Sequence, residues 1–94
     1  MRFVYPAVIQ KKEDGTYHGE MADLAMCYGD GDSVDACIRE LNQAAYDWID
    51  LEMKEDDPDL PAASDVDDLK KKYGKDSIVR NILIIYKMVE GWEE

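Results

Sequence analysis

The sequence predicts an α+β domain of two layers, an antiparallel sheet packed on one long helix, in the order β-β-β-α-β. Three observations carry this. A β-branched and aromatic run, Phe3 to Gln10, is followed by Asp14-Gly15 and a second short run, Thr16 to Met21, the pattern of a hairpin. From Ser33 to about Lys54 the apolar residues recur at three- and four-residue spacing. The run Ile78 to Tyr86 is the strongest β segment in the chain.

Taken in order, the first strand carries Pro6, which cannot donate to a ladder and is therefore expected at an edge or a bulge. Asp14-Gly15 supplies the turn, because glycine accepts the positive φ that tight hairpins need. The returning strand places Tyr17, Gly19 and Met21 on one face. A third short strand, roughly Ala25 to Gly29, is expected after the Asp23-Leu24 corner, followed by a Gly/Asp turn. Asp32 or Ser33 can cap the helix, and Asp35 suits its positive end. Val34, Cys37, Ile38, Leu41, Ala44, Ala45, Trp48 and Ile49 form its apolar stripe. Pro58 and Pro61, within a charged cluster, stop it. Ser64 to Leu69 reads as a short capped helix ending before Gly74. The last strand is almost continuously apolar, which predicts burial on both faces or a face used by another subunit.

At 94 residues, with 46% hydrophobic and 35% charged side chains, the chain has the composition of one folded domain with a small core. Its net charge is −11, from twenty-two acidic and eleven basic side chains. Acids crowd between Asp47 and Asp68, and Lys70, Lys71 and Lys72 form the one basic run. This charge opposes direct nucleic-acid binding and favours encounter with a basic partner, although acidity also serves simply to keep a small protein dispersed. Cys27 and Cys37 stand ten positions apart without a CxxC pairing, and no signal-peptide pattern opens the chain. The longest apolar stretch is too short to cross a bilayer, so the expectation is a cytoplasmic protein with no membrane partner.

No catalytic set emerges. His18 is the only histidine, and no nucleophile or orienting carboxylate can be assigned to it from sequence. Asp30-Gly-Asp-Ser-Val-Asp35 fails as a calcium loop, because Val34 stands where an oxygen ligand is required. Two cysteines and one histidine do not furnish a closed zinc site, and no Walker lysine follows Gly29 or Gly31. Trp48, Trp92 and six tyrosines, without a basic groove, read as core and interface material. The expectation is a binding protein, not an enzyme, with no metal and no cofactor.

Tyr5-Pro6-Ala7, Asp14-Gly15, Asp23-Leu24, Cys27, Gly31-Asp32-Ser33 and Leu60-Pro61 occur in an order that resembles the N-terminal domain of HicB-type antitoxins. Met21-Ala22 stands where that family usually has an aromatic-proline pair, and Ala25-Met26 replaces its proline-glycine. The resemblance implies a partial RNase H-like fold without nuclease activity. It also implies a role in neutralising a small basic HicA-type mRNA interferase by covering its active surface. Glu20, Asp23, Tyr28, Asp30 and Asp32, between the second strand and the helix start, are the candidate partner contacts. Residues 1–94 are expected to form one HicB-like domain with no C-terminal DNA-binding element, since only eight residues follow Tyr86. An orphan adaptor without a toxin, self-associating through Ile78–Tyr86 or the helix stripe, is the alternative. In either case a homodimer, or a tetramer, is expected from the small core.

Overall fold

In a computed structural model, which describes residues 1–87, the chain forms β1 (Arg2–Lys11), β2 (Tyr17–Met21), β3 (Tyr28–Gly31), α1 (Val34–Met53), α2 (Val66–Tyr73) and β4 (Ile78–Ile85). The strands make one antiparallel sheet in the order β3-β2-β1-β4. The α+β arrangement follows the sequence reading. Trp92, assigned above to core or interface, lies outside the described residues.

The hairpin closes as expected, with Gly15 at φ +90 and the Asp14 carboxylate accepting from both the Thr16 amide (2.9 Å) and its hydroxyl (2.6 Å). Pro6, however, lies in a central strand, neither at an edge nor at a bulge. The β1–β2 ladder starts at Ala7, and the Pro6 carbonyl accepts from Ala22 N–H at 3.1 Å just beyond it. A proline nitrogen is tolerated there because the neighbouring strand has ended.

The third strand is displaced from its expected position. It runs over Tyr28–Gly31, so Gly29-Asp30-Gly31 is strand and not turn. The reason is tertiary. A Cβ on Gly31 would lie 2.5 Å from the Cys37 amide nitrogen, and one on Gly29 would lie 2.8 Å from that of Leu41. The two glycines let the backbone of α1 lie directly on β3. Ser33 then caps the helix, its hydroxyl accepting from Ala36 N–H at 3.1 Å.

Successive residues of β1 serve opposite faces of the sheet. Tyr5, Ala7 and Ile9 join Met21, Leu24, Cys37, Leu41, Ala45, Ile49, Ile82 and Ile84 in the main core beneath α1. On the other face Val8 and Val79, directly paired, are covered by Leu69, with Val66 and Tyr73 of α2 packed around them. The short helix thus adds a partial cover to the second face. It is capped by Asp65, because Ser64 is engaged elsewhere. The last strand is buried towards α1, but Leu83 and Ile85 on its outer face remain exposed beside Val4.

Between α1 and α2 the chain crosses the end of the domain as an extended strap. Tyr5 Oη donates to the Pro61 carbonyl at 2.6 Å, and Asp59 N–H to Glu52 Oε1 at 2.8 Å. The Asp23 carboxylate accepts from Ser64 N–H (2.8 Å) and Ser64 Oγ (2.5 Å). The chain ends are tied as well, Met1 and Tyr86 exchanging two main-chain bonds of 2.9 Å.

Candidate interaction surface

The corner between β2 and β3 is a closed loop. Met21 N–H donates to the Cys27 carbonyl at 3.0 Å, Leu24 and Cys27 are buried, and Trp48 Nε1 of α1 donates to the Ala25 carbonyl at 3.0 Å. The three contacts fix the corner against the helix. Met26 at its apex has φ +59, the one positive φ outside glycine among the described residues. It occupies the place where the family pattern has glycine, so the backbone bend survives although the residue does not.

Three of the five candidate residues come together on the sheet face turned away from α1. Glu20 and Tyr28 are directly paired across β2–β3, and Asp30 is the next residue on that face, opposite His18. His18 Nδ1 lies 2.9 Å from Asp30 Oδ1, with Lys12 Nζ at 3.9 Å from the same oxygen and the His18 and Tyr28 rings 5.7 Å apart. Asp32 is exposed where β3 passes into the helix. Asp23 stands apart from them, since both its oxygens hold Ser64.

Sequence reasoning missed the neighbouring cleft. Met26, Cys27 and Tyr28 of the corner face Ala44, Asp47, Trp48 and Leu51 of α1 across an apolar depression. Met26 is 81% exposed, Leu51 68% and Tyr28 46%. Leu51 was the available signal, an apolar residue outside the main helix stripe. Tyr28 belongs to both surfaces, so the acidic face and the cleft are continuous around the β3 edge.

Charge is concentrated in one segment of the chain. Residues 20–59 hold thirteen acidic and two basic side chains, a net −11 that equals the charge of the whole chain. The remaining residues hold nine of each sign. The two cysteines are free and buried. Burial, reinforced by Asp47 near Cys27 and by Asp30 and Glu40 near Cys37, pushes both thiols up, which disfavours the nucleophilic thiolate. Among the described residues no His, Cys, Asp and Glu side chains group as a metal site, and no helix is long and apolar enough to cross a membrane.

Fold and surface together describe a small α+β domain with a tied-down corner and a strongly acidic central segment. A model of the HicB_like antitoxin of bacterial toxin-antitoxin systems matches residues 5–90, and the chain belongs to that family. Among solved structures it is similar to the N-terminal domain of the Burkholderia pseudomallei antitoxin HicB, at 16% identity and TM-score 0.74, covering 85% of this chain and 95% of that one. The longer B. pseudomallei HicB structure gives 18% identity and TM-score 0.73, with 98% and 69% coverage. A HicA3 and HicB3 toxin-antitoxin complex gives 23% identity and TM-score 0.60, with 92% and 100% coverage. At these identities the likenesses establish the fold. No curated protein sequence matches the chain.

Proposed function

We propose that this chain is an antitoxin that binds a small basic HicA-type mRNA interferase in the cytoplasm and neutralises it by covering its active surface. The observation that carries the reading is the confinement of the whole net charge to residues 20–59. A ribonuclease must present a basic surface to RNA, and an acidic face of matching extent competes with the phosphate backbone for it. Glu20, Tyr28, Asp30 and Asp32 form the contact, and Asp23 holds the corner beside them through Ser64. The chain works by occlusion, without chemistry of its own and without touching nucleic acid.

The test is co-purification with the product of the adjacent gene, followed by an RNA cleavage assay. A stoichiometric complex in which cleavage is silenced supports the antitoxin reading. A neighbour that neither binds nor is inhibited contradicts it.

A second reading has its own observation. Val4 and Leu83 are directly paired on the outer face of β1–β4, next to Ile85, and all three are about half exposed. The edge itself is blunted, since Asn42 Nδ2 donates to the Leu83 carbonyl at 2.8 Å. Self-association as a homodimer or tetramer would therefore use the apolar face and not strand addition. Sedimentation of wild type against Leu83→Lys tests it, a monomeric variant being the supporting result and an unchanged mass the contrary one.

A further inference from the structure

Met26 combines two properties that stability does not explain. Its backbone occupies the left-handed region, at φ +59, which costs a non-glycine residue on the order of 1 kcal/mol. Its side chain is the most exposed of the large apolar residues among the described ones, 81% accessible, and makes one weak bond, from Tyr28 Oη to Sδ at 3.7 Å. Nothing in the fold is gained by a methionine here. Across the cleft, Leu51 is 68% exposed on the last turn of a helix whose last buried residue is Ile49. Strained or costly residues that face solvent are the ones whose return is realised on binding.

The occupant follows from charge. Asp47 lines the cleft, Glu40 lies one turn before Ala44 on α1, and the segment 20–59, which supplies every lining residue, carries net −11. Two copies of this chain brought together here would oppose this acidic segment to itself, which disfavours self-association at this site. A basic partner is attracted. Resting on the antitoxin reading above, we infer that the Met26–Tyr28/Ala44–Leu51 cleft seats an aromatic or branched apolar side chain of the HicA-type toxin. Lysines or arginines flanking that side chain meet Asp47 and Glu40. The cleft is then the desolvated centre of the interface, and the acidic face around Glu20 and Asp30 is its rim.

The division of labour gives distinct kinetic signatures. Losing an apolar anchor raises the dissociation rate, whereas losing rim charge lowers the association rate. Met26→Gly removes the anchor and relieves the φ strain, so it folds at least as well as wild type. Leu51→Ala truncates a side chain that is mostly in solvent.

The experiment is surface-based kinetics of wild type, Met26→Gly, Leu51→Ala and the double variant with the toxin from the adjacent gene, alongside thermal melts. The expected result is dissociation faster by about tenfold for each single variant, unchanged association, and a melting temperature for Met26→Gly no lower than wild type. Dissociation within about twofold of wild type for both variants overturns the cleft while leaving the antitoxin reading intact. Absence of any wild-type complex overturns both. A wild-type dimer that Met26→Gly converts to monomer assigns the cleft to a second copy and also overturns the inference.

Discussion

Gly31→Ala puts the packing of α1 on β3 to the test. The added Cβ lies 2.5 Å from the Cys37 amide nitrogen and 2.8 Å from both the carbonyl carbon and Cβ of Ala36. Ordinary contact begins near 3.4 Å, so the first turn of the helix must withdraw by about 0.9 Å. All three atoms belong to the helix backbone or its stub, and none can swing aside. Withdrawal loosens Cys37 and Leu41, both fully buried against the sheet. Overpacking costs about 1–3 kcal/mol in a well-packed core, and contacts to backbone place this case at the upper end.

For a chain of this length about 3 kcal/mol lowers Tm by roughly 12–24 °C. Circular dichroism melts measure it, and reaction of the native protein with a thiol reagent reports whether Cys37 has become accessible. Gly15 provides the contrast. It has φ +90 with nothing within 4 Å of a Cβ, so Gly15→Asn, which tolerates left-handed backbone, should cost less than about 1 kcal/mol. Gly31→Asn should be at least as damaging as Gly31→Ala. A Gly31→Ala protein melting within about 3 °C of wild type, with Cys37 still protected, would refute the close approach of helix and strand.

Three further outcomes follow from other contacts. Tyr5→Phe removes the 2.6 Å bond to the Pro61 carbonyl, for about 1 kcal/mol of stability, and should speed tryptic cleavage after Lys54 as the strap loosens; unchanged cleavage contradicts that role. Asp50 accepts from Lys54 Nζ at 3.0 Å and from Tyr86 Oη at 2.9 Å, and these bonds hold its carboxyl below the usual range. The stability it supplies is complete above the unfolded-state value of about 3.9 and lost as pH falls through the lower folded value. Melting temperatures of wild type and Asp50→Asn should thus differ at neutral pH and converge in acid, and a gap constant down to about pH 2 would contradict the assignment. Association with the toxin should slow about tenfold or more between low and high salt while dissociation changes little; a salt-independent association rate argues against electrostatic steering.

Much of this fold was written in local patterns. The helix stripe from Val34 to Ile49, the Ser33 cap and the Asp14-Gly15 hairpin depend on neighbours in sequence, and each appears where the pattern puts it. The errors share a physical origin. Gly29-Asp30-Gly31 has the composition of a turn, but its glycines answer to helix residues five to twelve positions later. Pro6 sits in a central strand because the strand beside it ends, which Pro6 itself does not encode. Val66, Leu69 and Tyr73 have helical spacing, yet only the sheet's second face gives them Val8 and Val79 to cover. At the candidate site the acidic residues were legible one by one, and strand register then joined Glu20 to Tyr28 and set Asp30 beside them. The cleft was not legible, since it depends on the φ of Met26 and on a loop pinned to Trp48.

The most direct measurement is titration of the purified chain into the product of the adjacent gene, with RNA cleavage as the readout. Binding by occlusion predicts a linear fall in activity to a sharp equivalence point at a fixed stoichiometric ratio. The Asp30→Lys/Asp32→Lys variant should need a clear excess to reach the same inhibition. Cleavage that continues undiminished past several equivalents of wild-type protein, or inhibition indifferent to reversal of both charges, would contradict an acidic face that covers the toxin.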